Sequence, residues 1–174
     1  MKKEDYLKQI KTASRIGLIG SILVVAVTIA WVWLSKYTFR QTNQVHAAMM
    51  VVSCLLAIGG MSWMLFNTRR SIPQIRQLDG VEERLQRYCS HVKGMYYGML
   101  AVVVALCVLC VLMGDKNMLM LILLVTLTLF MAFPNIYRMK VDMGLTDEQA
   151  QEMFGDQYIP DANRERNEGG EQDE

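Results

Sequence analysis

The sequence predicts an all-α integral membrane protein: four transmembrane helices as two antiparallel hairpins, with amphipathic cytoplasmic extensions of helices 1 and 3. Three observations carry that reading. Apolar residues make up 52% of the 174-residue chain, yet they gather in four blocks, 16–34, 47–66, 95–113 and 118–133. None of these blocks contains Asp, Glu, Lys, Arg or His. A bilayer core about 30 Å thick needs roughly 20 apolar residues in a helix, so each block meets or approaches the length of a crossing. The polar segments between them are too short to bury a core of their own.

Charge placement orients the spans. Lys2, Lys3, Lys8, Lys11 and Arg15 precede the first; Arg69, Arg70, Arg76, Arg84, Arg87 and Lys93 lie between the second and third; Arg138 and Lys140 follow the fourth. The two remaining loops hold only Lys36, Arg40 and Lys116. The excess of Lys and Arg belongs on the cytoplasmic side, so both termini and the 67–94 loop are expected there, in the plasma (inner) membrane. Lys8, Lys11, Arg15, Arg69, Arg70, Arg84, Arg87, Lys93, Arg138 and Lys140 are the expected headgroup contacts, each worth about 1 kcal/mol against anionic lipid. The basic N-terminus resembles a signal peptide, but its apolar run is too long and no small-residue cleavage site follows, so it reads as an uncleaved anchor.

In chain order, Met1–Arg15 is a polar foot with Tyr6, Ile10 and Ala13 on one face. The first span carries a loose small-residue stripe of Gly17, Gly20, Ser21 and Thr28, and Trp31, Trp33 and Tyr37 close it at the outer interface. A short polar loop, Ser35–Val45, leads to the second span, where Ser53, Ala57, Gly59 and Gly60 keep the surface thin. The stretch NTRRSIP is expected to break the helix, with Pro73 enforcing the stop or restart.

The stretch from Asp79 to Gly114 organises the rest, as one helix that starts as a foot and becomes a span. Asp79 and Glu82 match a capping box, and Ile75, Leu78, Val81, Leu85, Tyr88 and Val92 recur on one face. Within the span, Gly94, Gly98, Ala101 and Ala105 fall within roughly 60° of arc, and Gly94 and Gly98 form a GxxxG pair. This helix-packing stripe serves either packing within the chain or a homodimer seam.

The GDKN turn makes the third and fourth spans a tight hairpin. Residues 1–140 thus form the bundle. In 141–159, Thr146 and Gln149 predict a capping box, Leu145 and Ala150 a staple and Gly155 a stop, giving a short acidic cytoplasmic helix over Asp147–Phe154. Residues 160–174 have no large apolar side chain and are expected to be disordered. The exits Phe66–Arg70 and Phe133–Arg138 look alike, which fits a weak two-hairpin repeat and, equally, chance under shared membrane constraints.

The chemistry is sparse. Cys107 and Cys110 form a CxxC, but neither outer loop offers a second cysteine pair to pass a disulfide on. Cys54, Cys107 and Cys110, with His46 and nearby methionines, are soft ligands of the kind Cu(I) takes; among 14 methionines spread through the chain they read as packing, with no metal and no cofactor. His91 has no acid partner legible in the sequence. No phosphate loop, zinc spacing or nucleophile motif is present, and no charge sits inside a span, where ion-coupled transporters usually carry one. The expectation is a non-enzymatic interaction, accessory or self-associating scaffold protein. Its partners are the lipid bilayer and either a second copy or another membrane protein, not nucleic acid. The alternative is a small oligomeric transporter or channel with a neutral pathway.

Overall fold

The computed structural model describes residues 3–34 and 43–159. The Ser35–Val45 loop falls mostly, and the 160–174 tail wholly, outside the described residues. Among the described residues the chain is helical and holds no strand. Its elements are α1 (Lys3–Leu34), α2 (Asn43–Arg76), α3 (Val81–Met113), α4 (Met118–Met131), α5 (Ile136–Met143), α6 (Asp147–Phe154) and a closing 3-10 turn, Gly155–Gln157. Three helices, α1 to α3, are long and apolar enough to cross a membrane, and a fourth crossing exists if α4 and α5 count as one bent span.

Helix α3 lies at the centre, with α1 and α2 packed along it and scarcely touching each other. The two sequence hairpins therefore do not pack as separate units. On α1, the buried positions Ile10, Ser14, Gly17, Ser21, Val25, Thr28 and Val32 recur every three or four residues and face α3. Several are small, which lets two backbones approach. The hydroxyls of Ser14, Ser21 and Thr28 donate to the carbonyls of Ile10, Gly17 and Val24 at 2.9, 2.7 and 2.8 Å, so the stripe buries no unmet polar atom.

Gly17 is the tightest point. A Cβ there would lie 2.8 Å from Tyr96 Cδ1 and 2.9 Å from Tyr96 Cβ. Tyr96 is fully buried and its hydroxyl has no hydrogen-bond partner among the described residues, so its fit to α1 is one of shape. Gly20 beside Leu100, and Lys93 donating to Gln9 at 2.7 Å, show that α1 and α3 run in the same direction. Helix α2 runs the opposite way: Gly60 faces Val102, Trp63 covers Gly98, and Thr68 reaches Met95.

Four expectations are corrected. Pro73 does not stop α2, which runs on to Arg76; one turn from a helix end, Pro forfeits little more than its own N–H bond. Helix α3 begins at Val81 with Gly80 as N-cap and no side-chain cap, so the Asp79–Glu82 box does not form. Ile75 is consequently buried in α2, and only Val81, Leu85, Tyr88 and Val92 of the expected face belong to α3. The fourth apolar helix stops at Met131 after 14 residues, and α5 leaves it at 74°. Pro134 lacks the N–H to continue the ladder, and Asn135 restarts it by accepting from Arg138 N–H at 2.7 Å. The look-alike exits are thus structurally unlike: Phe66–Arg70 is continuous helix, while Phe133–Arg138 straddles a break.

Helix α6 forms as read, with Thr146 and Gln149 satisfying each other's backbone N–H at 3.3 and 3.2 Å, and Gly155 at φ 58° ending it. Leu145 and Ala150 are both buried.

Gly17→Val is expected to lower stability by about 1–3 kcal/mol, because Tyr96 has no room to retreat. Gly59→Ala, with nothing within 4 Å of its added methyl, is expected to raise it by about 0.5–1 kcal/mol through helix propensity. Unfolding in mixed micelles, titrated with a denaturing detergent, measures both; equal effects at the two sites would show that Gly17 is not the close approach.

Candidate functional site

Polar chemistry concentrates where α5 and α6 cross the end of the bundle. A helix ends with four carbonyls that lack partners inside it. Three arginines meet such carbonyls here. Arg138 donates to Met131 O at 2.8 Å, closing the end of α4. Arg84 donates to Met143 O and Gly144 O at 3.3 and 3.2 Å, and to Leu78 O at 2.6 Å. Arg76 reaches Asp142 O at 3.4 Å. A cation at a helix C-terminus also complements its dipole. Gly144, at φ 62°, lies against the stem of Arg76 and lets the chain turn under it.

Behind the arginines, Tyr88 O–H donates to Asp142 Oδ2 at 3.2 Å, and Arg138 Nε stands 3.8 Å from the same oxygen. These groups border a small cavity of about 100 Å³ that Thr68, Arg69 and His91 also line. Burial pushes the Asp142 carboxyl above its ordinary range, against the opposing pull of Tyr88, Arg138, Arg76 and His91. Burial, and then the Asp142 charge, pushes the Tyr88 phenol up. Burial lowers His91, only partly offset by Asp142, and Asn67 Nδ2 lies 3.5 Å from its Nδ1. The donors and acceptors of this partly dry set are engaged with one another and with main-chain carbonyls.

The α6 side is tied down as well. Tyr158 packs on Tyr137 at 5.8 Å between ring centroids, donates to Asp147 and lies under the Lys140 ammonium at 5.3 Å. Lys140 also pairs with Asp147, and these two bonds hold the exposed Asp147 carboxyl below its usual range. Lys3 pairs with Glu152 at 2.7 Å, joining the start of α1 to α6.

The residues singled out in the sequence divide accordingly. In the small-residue stripe, Gly98 is filled from within the chain by the Trp63 ring, 2.8 Å from where a Cβ would sit. Gly94 is open, Ala101 exposed and Ala105 half-buried. Of the ten basic residues, Arg84, Lys93, Arg138 and Lys140 bond within the chain, exposed Lys11 reaches Gln157 Oε1 at 3.5 Å, and Lys8, Arg15, Arg69, Arg70 and Arg87 are exposed. Cys107 and Cys110 are buried free thiols, while Cys54 is exposed on α2, so the three do not converge. Among the described residues no three His, Cys, Asp or Glu side chains come together as a metal site. At the opposite end of the bundle, His46 Nε2 lies 3.4 Å from Asp115 Oδ2 and Lys116 lies over Trp33.

The reading from sequence missed Asp142 and α5 as structural parts. The signals were present: Asn135 and Gly144 bracket an amphipathic turn, and Arg138 and Asp142 stand four residues apart. Comparison with family models, curated protein sequences and solved structures finds no match to this chain.

The shifts make a signed pH dependence. Folded Asp142 binds its proton more tightly than the unfolded chain does, so its contribution declines as pH rises from 3.8 through its raised value. His91 contributes fully above 6.5, and that contribution is lost as pH falls through its lowered value. The stability gap between the wild type and Asp142→Asn should therefore narrow with rising pH at the acidic end. The gap to His91→Gln should narrow with falling pH below 6.5. Thermal unfolding of the three proteins across pH measures this, and pH-independent gaps would refute it.

Proposed function

We propose that this chain is a four-span protein of the plasma (inner) membrane, with both termini cytoplasmic, and that it acts without catalysis as an interaction or accessory protein. The observation that supports this best is the arginine clamp: the titratable groups at the α5–α6 end hold a small folded cap onto the bundle. Charge supports the orientation. Among the described residues the cap end gathers the basic residues of α1, α2, α3 and α5, while the other end has Lys116 alone.

The membrane-facing surface suited to a partner helix lies on α2 and α3. Trp63 and Tyr97 are 44% and 47% exposed beside Gly94 and Ala101, giving aromatic rings next to open backbone. The bundle interior favours this reading over transport. Met99, Val103, Leu106, Cys110, Ile122 and Val125 fill it, so a neutral pathway would have to run between copies.

Native mass spectrometry after gentle extraction from the source membrane tests the function. A second polypeptide at fixed ratio, or a defined homo-oligomer, is expected; a lone monomer in every mild detergent would end the interaction reading. Topology is checked with single cysteines in a cysteine-free background and a membrane-impermeant maleimide. Lys116→Cys should react on intact cells, and Glu148→Cys only after permeabilisation. The reverse pattern would invert the orientation.

A further inference from the structure

We propose that the groove between α1 and the α4–α5–α6 side of the molecule binds one anionic diacyl phospholipid; the inference rests on the membrane-spanning reading above. Glu4, Lys8, Lys11, Arg15, Leu18 and Ile22 follow one another on α1 at spacings of four, three, four, three and four. That pattern keeps them within about 80° of arc, on one face of the helix. The chemistry of this face changes once, between Arg15 and Leu18.

On the charged side of that point, the face lines an open groove of about 540 Å³. Its other wall is mostly apolar, Ile136 and Met139 of α5 and Met153 and Phe154 of α6, with Gln157 beyond them. On the apolar side, Leu18 and Ile22 line a second groove of about 480 Å³ with Leu123, Leu127 and Phe130 of α4. The 74° bend between α4 and α5 creates this arrangement. A straight fourth helix would not fold α5 and α6 back toward the foot of α1, and the charged groove would lose its floor.

The occupant follows from the charges that remain available. Several basic residues at this end are already bonded inside the chain: Lys3 to Glu152, Lys93 to Gln9, Lys140 to Asp147, and Arg76, Arg84 and Arg138 to carbonyls; Arg69, Arg70 and Arg87 are exposed but do not line this groove. Lys8 and Arg15 make no ion pair among the described residues, and Lys11 has only Gln157 Oε1 at 3.5 Å. Among the described lining residues three cations thus face one carboxylate, Glu4, with the Thr12 hydroxyl beside them. A phosphodiester with a net negative headgroup matches that end, and its acyl chains match the run from Leu18 to Phe130. A zwitterionic lipid brings its own cation and gains less.

The test uses the full chain in a mild non-ionic detergent, followed by native mass spectrometry. The protein is titrated with phosphatidylglycerol or phosphatidylcholine carrying identical palmitoyl and oleoyl chains. One bound phosphatidylglycerol is expected, with a preference of about tenfold or more over phosphatidylcholine. The triple variant Lys8→Gln, Lys11→Gln, Arg15→Gln should lose that preference. Arg69→Gln, Arg70→Gln, Arg87→Gln, an equal charge change at other exposed sites, should keep it within about twofold. Leu127→Trp, which fills the apolar groove, should lower retention of both lipids. Equal losses in the two triple variants would mean diffuse attraction and overturn the site, as would retention unchanged in all variants. Alkaline carbonate extraction separates the two readings. Release of the protein would overturn the membrane-spanning reading and the site with it, while retention without a groove-dependent preference would overturn the site alone.

Discussion

The structure depends on how closely α1 can approach α3. Between apolar helices in lipid there is no hydrophobic gain from contact, so association rests on packing and on meeting polar groups internally. Gly17 supplies the close approach, Tyr96 fills it, and the serine and threonine hydroxyls on the same stripe return their bonds to their own helix. Gly60 and Ser53 do similar work on α2. Two thin surfaces on opposite sides of α3 make α3 the axis of the molecule, and this is why helices adjacent in the chain, α1 and α2, are not neighbours in space.

The second constraint is the interruption at Pro134. Breaking a helix exposes carbonyls at one end and N–H groups at the next start. Asn135 answers the second need and Arg138 the first, while Arg84 and Arg76 meet the carbonyls where α5 ends in turn. Side chains that look like a basic surface on a residue count are, in part, the bonds that fix α5 across the bundle. Asp142 and Tyr88 complete the arrangement from below, and the cost of burying that carboxyl appears in its raised affinity for a proton.

The same bend divides the outer surface of α1. Below it, α5 and α6 roof a charged groove; beyond it, α4 leaves an apolar one. Arg76, Arg84 and Arg138 of the clamp are engaged by main-chain carbonyls, whereas Lys8 and Arg15 in the charged groove make no ion pair among the described residues.

The sequence by itself determined the helical character, the apolar blocks, the role of the stretch ending at Gly114 as the organising helix, and α6 with both its caps. These are local matters: uncharged runs of sufficient length, three- and four-residue periodicity, and a Thr–Gln pair three apart act within one or two turns. Only the tertiary structure decided which stripe packs against what. Gly17 and Gly98 look alike in sequence, but one receives Tyr96 from α3 and the other Trp63 from α2, because the partner of a small residue is set by shape across helices. It also decided that α2 outruns Pro73, that α3 starts without the Asp79 cap, and that α5 bends away to meet Arg76 and Arg84. The placement of α5 turns on contacts between residues far apart in the chain, and spacing along the chain carries no record of them.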